Sequence, residues 1–282
     1  MIVYWNGRFT PLEQAALSPL DRGFLFADAI YEVVRFHRGR PYRLAEHVRR
    51  MQESLQALRI ECDAAFYPDA ARRLLDENGL AEADATVYVQ VSRGAAPRAH
   101  AFPPKGTPPT VFAFARASDP PPREAGGSAI LLPDERWGRC DIKTVMLLPN
   151  VLAIQQAREA GAIDAILVRG DLALEATKAN VFAVVGQTVR TAPTGPSILP
   201  GVTRAAALAA ARRLGLAVEE RALTVEEILG AEEVFLASTT LWTYSLVRIG
   251  GRTIGDGQPG RVAQRLKTEL QREFTGETSA GG

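Results

Sequence analysis

Residues 118–127, SDPPPREAGG, decide how this chain of 282 residues is divided. Three consecutive prolines cannot enter a helix interior or a central strand, and the two glycines that follow add backbone freedom. We interpret residues 119–127 as a linker between a smaller domain, residues 1–118, and a larger domain, residues 128–282. Two domains also suit the length, since one domain takes about 150 residues.

On the N-terminal side of the linker, the sequence predicts a helix-flanked antiparallel sheet. Asn6-Gly7 favours a tight hairpin turn, because both residues tolerate positive φ angles. Apolar residues recur at helical spacing over residues 44–58, whereas they alternate with polar residues over residues 86–93. The other predicted elements are strands over 27–36 and 110–116 and a helix over 69–78.

On the C-terminal side, strand and helix patterns mix, so the whole chain is predicted to be a mixed α/β (α+β) protein. Strands are predicted over 129–132, 165–168, 181–185, 217–221 and 233–236. Helices are predicted over 150–160, 203–214, 225–229 and 260–274. The glycine-rich run 250–255 favours a hairpin over a dinucleotide site, because short strands flank it.

The composition is that of a globular chain, with 46% hydrophobic and 23% charged residues. A formal net charge of +1 argues against a dedicated nucleic-acid-binding protein, which carries a basic excess. The two cysteines and three histidines show no metal-ligand spacing, and the sequence has no signal-peptide or membrane-spanning pattern. We therefore expect a soluble, cytoplasmic protein that uses no metal.

Lys143 is the first of five candidate chemical motifs, each of which also has a purely structural explanation. The lysine precedes an apolar run, residues 145–148. Desolvation of an ammonium lowers its pKa and yields an amine nucleophile, which can form a Schiff base with an aldehyde. The alternative is a lysine at a strand end that extends its charge to solvent.

Two further motifs favour anion binding. Gly201 opens an alanine-rich helix whose free N–H groups would favour an anion, and Thr203 could add a hydroxyl there. The alternative is an ordinary helix start with Thr203 as N-cap. Hydroxyls cluster in residues 238–240 after an apolar strand, where they face a site or simply form a turn.

The last two motifs are a cationic pair and an acid. Arg98 and His100 lie two residues apart in a proline-stiffened loop and could clamp a carboxylate. The alternative is a solvated loop. Glu175 enters a strand through polar residues, for which a surface hairpin is the alternative.

Together and in this order, the motifs resemble fold-type IV pyridoxal-phosphate (PLP) aminotransferases, and most of all the D-amino acid (D-alanine) aminotransferases. The resemblance extends from Trp5 to Phe274. It rests on Asp21-Arg22-Gly23, Tyr31-Glu32-Val33-Val34, Glu46-His47 with Arg50, Arg98-Ala99-His100, Asp141-Ile142-Lys143-Thr144, Gly201-Val202-Thr203-Arg204 and Ser238-Thr239-Thr240.

The resemblance implies PLP as cofactor, bound between the two domains. Lys143 would carry the internal Schiff base and, once displaced by substrate, move a proton between the substrate Cα and the cofactor C4′. Glu175 would face the pyridine nitrogen and keep it protonated. The other implied cofactor-binding residues are Arg50, Val202, Thr203 and Thr239 at the phosphate, Ser238 beside them, and Leu199 against the ring face.

The resemblance also implies a substrate class and an assembly. Tyr31, Arg98 and His100 would hold the α-carboxylate of the substrate, with the arginine and the histidine reaching the site from the partner subunit of a homodimer. The implied reaction exchanges the amino group of a D-amino acid with a 2-oxo acid, such as 2-oxoglutarate or pyruvate.

The sequence departs from the family pattern in two places. Ala27, Ala29 and Ala176 stand where the family usually has glycine, so a positive φ at any of them is strained. Lys178 stands where a serine is usual, and its cation would reach the phosphate, a substrate carboxylate or solvent. We expect these changes to affect cofactor affinity and substrate preference.

Other activities of the same fold remain open from the sequence alone. They are a branched-chain L-aminotransferase, an (R)-amine transaminase and an aminodeoxychorismate lyase, and Arg98 and His100 argue against them. A PLP-binding protein without turnover is the alternative from a different class, motivated by the altered residues 175–180.

Overall fold

The computed structural model describes residues 1–118 and 125–276, which form two compact units. The first unit contains residues 1–118 and also residues 142–146, and the second contains the other described residues. Most of the predicted linker, residues 119–124, lies outside the described residues, as does the end of the chain from residue 277. The last predicted linker residue, Gly127, already belongs to a strand.

The first unit is an antiparallel sheet with helices, as predicted. Its strands are β1 (Ile2–Trp5), β2 (Arg8–Pro11), β3 (Ala29–His37), β4 (Arg40–Pro41), β5 (Asp84–Ser92) and β6 (Thr110–Ala117), in the spatial order β2-β1-β6-β5-β3-β4. Its helices are α1 (Arg22–Phe26), α2 (Leu44–Leu58) and α3 (Tyr67–Glu77). Neighbouring strands pair antiparallel throughout this order.

Local chemistry accounts for these elements. Asn6 and Gly7 have φ angles of 47° and 86°, which confirms the predicted hairpin turn between β1 and β2. The structure confirms the predicted bounds of α2, Leu44–Leu58. Met51 and Leu55 on its apolar face are fully buried. The strand predicted to begin at Ala27 instead begins two residues later, since Ala27 ends α1 in the left-handed conformation.

The second unit is built on a mixed sheet. Its strands are β7 (Gly127–Pro133), β8 (Asp164–Arg169), β9 (Leu172–Ala176), β10 (Asn180–Val185), β11 (Thr188–Thr191), β12 (Ala217–Glu220), β13 (Leu223–Thr224), β14 (Glu233–Ser238), β15 (Trp242–Ile249) and β16 (Arg252–Thr253). Its helices are α4 (Leu148–Glu159), α5 (Val202–Arg213), α6 (Val225–Leu229) and α7 (Arg261–Thr275).

The order of the strands brings β9 back to β10. Along the sheet the path runs β12-β11-β10-β14-β15-β7-β8-β9-β13, and a further pairing joins Asn180 of β10 to Glu175 of β9. Six of these strands, from β10 through to β9, therefore form a closed circuit. The circuit places the Glu175 carboxylate beside the first residue of β10.

The sequence patterns predicted no strand at β4, β9, β11 or β13 and gave no bounds for the strands β15 and β16 of the glycine-rich hairpin, whereas the other strands lie within about two residues of their predicted bounds. The sequence of β9, Leu-Ala-Leu-Glu-Ala, contains good helix formers, and tertiary pairing overrides that preference. The predicted hairpin at Gly250 and Gly251 is confirmed, with φ angles of 55° and 83° between β15 and β16. No helix within residues 1–118 or 125–276 combines the length and the apolar character that a membrane span needs.

Candidate functional site

Lys143 lies in the short segment of residues 142–146 that belongs to the first unit. The N–H of Tyr31 in β3 donates to the Lys143 carbonyl at 3.0 Å. The Lys143 N–H donates to Ser54 Oγ in α2 at 3.3 Å. A strand and a helix therefore both fix the main chain of the lysine.

The side chain of Lys143 lies over an aromatic face. Its Nζ is 4.2 Å from the centroid of the Tyr31 ring, and Tyr31 stacks on Tyr88 with centroids 5.7 Å apart. Lys143 is half-buried, whereas Met146 and Leu148 are 40% and 66% exposed. The Tyr31 ring therefore provides an apolar contact for the Lys143 amine.

Arg50 is buried in a network centred on Glu32. The Arg50 guanidinium donates from Nε to Glu32 Oε1 at 2.6 Å and from Nη2 to Oε2 at 2.9 Å. His47 Nδ1 lies 2.8 Å from Glu32 Oε2 and donates to it, because a carboxylate can only accept. The three groups lie together because Glu32 is in β3 and the other two share one face of α2.

This network fixes the charges of its members. Burial would raise the pKa of Glu32, but the charge of Arg50 and the hydrogen bond from His47 outweigh it and hold the pKa well below its usual range. Burial lowers the pKa of His47, and Glu32 offsets only part of that effect. The network is therefore a carboxylate, a cationic guanidinium and a neutral imidazole at pH 7.

Arg98 and His100 are exposed and come together on one ring. The Arg98 Cζ lies 5.3 Å from the centroid of the Phe26 ring, and the His100 ring packs edge-on against it at 5.8 Å. Phe26 is the last residue of α1. The structure thus groups Arg98 with His100 and groups Tyr31 with Lys143.

Glu175 in the second unit is a buried acceptor at the end of β9. The N–H of Leu199 donates to both of its carboxylate oxygens, at 3.1 and 3.2 Å. The Asn180 amide donates to Oε2 at 3.0 Å and also to the Leu199 carbonyl at 3.0 Å. The carboxylate is therefore held in one orientation, and the surface-hairpin alternative is wrong.

Arg136 is a further contact of Glu175 that the sequence reading missed. Its Nη1 donates to Glu175 Oε1, and its Nε donates to Asp134 Oδ1 at 2.8 Å. Burial opposes the charge of Arg136, yet the hydrogen bond to Asp134 and the charge of Glu175 outweigh it and raise the pKa of Arg136. The spacing of Asp134 and Arg136 is the only local signal, and it resembles that of an ordinary surface ion pair.

At the start of α5, the N-cap residue offers no side-chain acceptor to the first main-chain N–H groups of the helix. Gly201 is the N-cap and no side chain caps the helix, so Thr203 is not the N-cap. A Cβ on Gly201 would lie 2.1 Å from Asn180 Oδ1, which explains the glycine. Val202 and Thr203 are buried at the first positions of this 12-residue helix.

Ser238 ends β14, and the N–H of Leu241 donates to its Oγ at 3.3 Å. Ser238 and Thr239 are both half-buried. The serine hydroxyl thus supports the turn between β14 and β15. Its assignment and that of Thr239 to a cofactor remain predictions.

The alanines that replace glycine differ in strain. Ala27 has a φ of 55°, in the region that disfavours a Cβ, whereas Ala29 and Ala176 lie in strands and have no positive φ. Strain is therefore confined to Ala27 among the three.

The turn after β9 is held by polar contacts. Asp164 Oδ1 accepts from the N–H and the hydroxyl of Thr177 at 3.0 and 2.6 Å, and Asn150 donates to the Thr177 carbonyl at 2.7 Å. Burial raises the pKa of Asp164, with the Thr177 hydroxyl opposing the shift. Lys178 follows on this turn with its side chain exposed.

The donor set fits PLP when each unit is considered by itself. The first unit provides the amine of Lys143 and the buried guanidinium of Arg50. The second provides the fixed carboxylate of Glu175 and the uncapped start of α5 behind Gly201, where a Cβ has no room. An amine for the aldehyde, cations and N–H groups for the phosphate, and an acid for the ring nitrogen are the groups that PLP needs.

Comparisons with known proteins agree with this chemistry. The family described as amino-transferase class IV matches residues 29–247. D-alanine aminotransferase from Bacillus licheniformis is 38% identical, over 99% of each chain.

Solved structures share the fold. The branched-chain amino acid aminotransferase from Escherichia coli has a TM-score of 0.89 at 24% identity, over 99% of this chain and 96% of that one. A branched-chain amino acid aminotransferase from T.th., solved with pyridoxamine 5′-phosphate, has a TM-score of 0.89 at 25% identity, over 99% of this chain and 95% of that one.

Proposed function

Because the chain belongs to the class IV aminotransferases, we propose that it transfers the amino group of a D-amino acid such as D-alanine to a 2-oxo acid such as 2-oxoglutarate or pyruvate. The observation that carries this proposal is the full-length match to D-alanine aminotransferase, at 38% identity. PLP is the cofactor. When bound, it supplies an aldehyde that reacts with amines and a ring that accepts electrons from the substrate Cα.

Lys143 and Glu175 carry the chemistry in this proposal. The Lys143 amine would hold the cofactor aldehyde, and the same amine would accept and donate the proton of the substrate Cα. Its position over the Tyr31 ring and its pinned main chain support this role. Glu175 keeps a proton on the ring nitrogen, and its fixed orientation between Leu199 and Asn180 supports that role.

The phosphate is assigned to Arg50, the N–H groups of Val202 and Thr203, and the Thr239 hydroxyl, with Ser238 beside them. The Glu32 network supports this assignment, because it keeps Arg50 cationic and orients its planar group. Leu199 is assigned to the ring face, which leaves its N–H to orient Glu175.

Tyr31, Arg98 and His100 are assigned to the substrate α-carboxylate, and a homodimer is part of this assignment. Arg98 and His100 are exposed side by side on Phe26, as expected of groups that serve the site of a second subunit. Cytoplasmic location is also proposed, since both cysteines are free thiols, as is usual in a reducing compartment.

A branched-chain L-aminotransferase is the second candidate, because solved branched-chain amino acid aminotransferases share the fold over 99% of this chain. The two candidates differ in the hand of the donor and in its side chain. Activity with L-leucine and none with D-alanine would favour the second candidate.

An absorbance spectrum of the purified protein with PLP, before and after D-alanine or L-alanine, tests the proposal. We expect a visible band that shifts to the pyridoxamine form with D-alanine alone. A shift with L-alanine alone would indicate an L-aminotransferase, and a band that no amine shifts would indicate a PLP-binding protein without turnover.

A matched pair of lysine variants assigns the amine in the same experiment. Lys143→Ala should lose the visible band of the amine-bound cofactor, whereas Lys267→Ala, in α7, should keep it. Retention of the band in Lys143→Ala would assign the role to another lysine.

A further inference from the structure

The motif Asp21-Arg22-Gly23 has no role in the proposed chemistry, although each of its residues has a specific contact. The Asp21 carboxylate accepts from the Gly23 N–H at 2.8 Å, and from the Ser92 and Thr110 hydroxyls at 2.9 and 2.7 Å. A Cβ on Gly23 would lie 2.8 Å from the Ser92 Cβ, so glycine is required. Asp21 and Gly23 thus fix α1 against the ends of β5 and β6.

Arg22 instead reaches the segment that carries Arg98 and His100. Its guanidinium donates from Nη1 to the carbonyls of Ala99 and Ala101 at 2.7 and 3.2 Å, and from Nη2 to that of His100 at 3.4 Å. Three successive carbonyls therefore converge on one side chain that is 5% exposed. We call residues 98–101 the trap segment.

Arg22 is paired with the half-buried carboxylate of Asp28, which a second arginine shares. Its Nε donates to Asp28 Oδ2 at 2.9 Å, and Arg93 donates to the two oxygens of Asp28 at 2.7 and 2.8 Å. Arg93 also donates to the carbonyls of Leu58 and Arg59 at 2.7 and 2.8 Å, at the end of α2. The anchor of the trap segment is thereby connected to the helix that carries Arg50.

Phe26 provides the second support. Its ring is contacted by the Arg22 Cζ at 4.8 Å, by the Arg98 Cζ at 5.3 Å and by the His100 ring at 5.8 Å. Arg22 therefore holds the main chain of the trap segment, while Phe26 holds the side chains of Arg98 and His100. Residues 96–109, all of which the structure describes, contain no helix or strand to do this.

We propose that Arg22 and Phe26 are the positioning residues of the carboxylate trap, and this rests on the proposed function. Neither residue touches substrate. Their contribution is to place Arg98 and His100 so that both bind the same α-carboxylate. Anchoring by main-chain carbonyls leaves both side chains exposed for that purpose, and it lowers the conformational entropy that is lost on binding.

The test measures how strongly the enzyme prefers a substrate with a carboxylate. D-Alanine and isopropylamine share the amine and one methyl group, and isopropylamine has a second methyl in place of the carboxylate. The rate of conversion of bound PLP to the pyridoxamine form is measured with each donor, and their ratio is the carboxylate preference. A general structural defect slows both reactions and leaves the ratio unchanged.

We expect Arg22→Lys to lower the carboxylate preference by about 10-fold to 100-fold, since misplacing a binding group by about 1 Å costs this much. Lysine keeps the charge beside Asp28 but cannot bind three carbonyls in the fork geometry of arginine. Phe26→Leu should lower the preference less, because the main-chain anchor stays in place. An unchanged ratio in Arg22→Lys, with the cofactor spectrum intact, would overturn the proposal.

Arg204→Lys is the matched control. Arg204 is 3% exposed and, like Arg22, donates to a carbonyl, that of Ala192, and to a carboxylate, that of Glu220. It belongs to the second unit, so its variant should change the ratio by less than about twofold. An equal loss in Arg204→Lys would make the effect structural and overturn the proposal.

Two further variants keep the outcomes separate. If Arg22→Lys does not fold, Phe26→Leu decides alone, and an unchanged ratio there overturns the proposal. Arg98→Ala distinguishes failure of the carboxylate trap from failure of the positioning role of Arg22. A loss of preference in Arg98→Ala but not in Arg22→Lys leaves the proposed function standing and rejects the positioning role. No loss in Arg98→Ala rejects the trap itself and the positioning role with it.

Discussion

Glu175 and the trap segment differ in burial and in which of their atoms are held in place. Glu175 is buried, and its oxygens are fixed by a main-chain N–H, an amide and the buried Arg136. Arg98 and His100 are exposed, and only the main chain beneath them is fixed. In the proposed function, Glu175 contacts a cofactor that stays bound, so it can be buried permanently. Arg98 and His100 bind a substrate that enters and leaves, so their side chains must stay accessible to solvent while the main chain keeps them in position.

The comparison predicts that substitutions at Glu175 affect folding as well as activity. Glu175→Gln leaves the buried charge of Arg136 with one carboxylate fewer, and removing one partner of a buried pair costs about 3–5 kcal/mol. We expect the free energy of unfolding of the apo-protein to fall by about 3 kcal/mol and the turnover of D-alanine to fall by about 100-fold or more. Urea denaturation and steady-state kinetics measure the two effects.

Glu233→Gln provides the control for Glu175. The Glu233 carboxylate also accepts main-chain N–H groups, those of Val262 and Ala263 at 3.0–3.1 Å. Glu233→Gln should lower the free energy of unfolding by about 1 kcal/mol and leave the turnover of D-alanine unchanged. Equal effects of the two variants on turnover would show that burial at Glu175 serves folding alone.

The trap segment should show the reverse pattern. Arg98→Ala should raise the KM for D-alanine by at least about 30-fold, since loss of a charged contact costs about 2–5 kcal/mol. Because the Arg98 side chain is exposed in the single chain, the free energy of unfolding should change by less than about 0.5 kcal/mol. Unchanged D-alanine kinetics would exclude Arg98 from the trap.

The turn after Glu175 offers a pH test of burial. The raised pKa of Asp164 means that its charged form is less favourable in the folded chain than in the unfolded chain. Wild-type stability relative to Asp164→Asn should therefore fall as the pH rises from about 4 through the raised pKa, by about 1.4 kcal/mol for each pH unit between the unfolded and the folded pKa. Chemical denaturation measures this slope, from about pH 4, near the pKa of an unfolded Asp, up to about pH 8.

Asp164→Ala separates the charge of Asp164 from its hydrogen bonds. Alanine removes the acceptor for Ala165 and Thr177, so Asp164→Ala should be about 2 kcal/mol less stable than Asp164→Asn at every pH. A wild-type stability that rises relative to Asp164→Asn with pH would contradict the raised pKa.

The smallest effect is expected beside Phe26. Ala27→Gly relieves a left-handed alanine, which costs about 1–2 kcal/mol, at the expense of about 0.5–1 kcal/mol of added entropy in the unfolded chain. We expect a gain of about 0.5–1 kcal/mol in the free energy of unfolding. Ala29→Gly should instead lose about 1 kcal/mol, because Ala29 is a fully buried strand residue without positive φ. Equal shifts in both variants would argue against strain at Ala27.

These regions also differ in how much the sequence reveals. The bounds of α2 follow from periodicity, and the uncapped start of α5 follows from Gly201. The contact between Arg136 and Glu175 does not, because 39 residues separate them and only the order of the strands joins them. The anchoring of the trap segment by Arg22 spans 77–79 residues and has no periodic signal either.

The fold class was predictable because it depends on patterns within single elements. The role of Tyr31 as the apolar surface for Lys143 was not, since the two residues lie far apart in the sequence and only the fold brings them together. Long-range polar contacts decide the site, and a single sequence carries no local record of them.

Residues 142–146 belong to the first unit although they follow the linker in sequence, and this limits where functional chimeras with related enzymes can be joined. By position in the chain, Lys143 belongs to the second half, but its main chain is hydrogen-bonded to Tyr31 and Ser54 of the first half. A chimera joined at the predicted linker would therefore pair the lysine of one parent with the strand and helix of the other. Crossovers that exchange residues 142–146 together with the first half keep those contacts from one parent, and such chimeras should retain more activity.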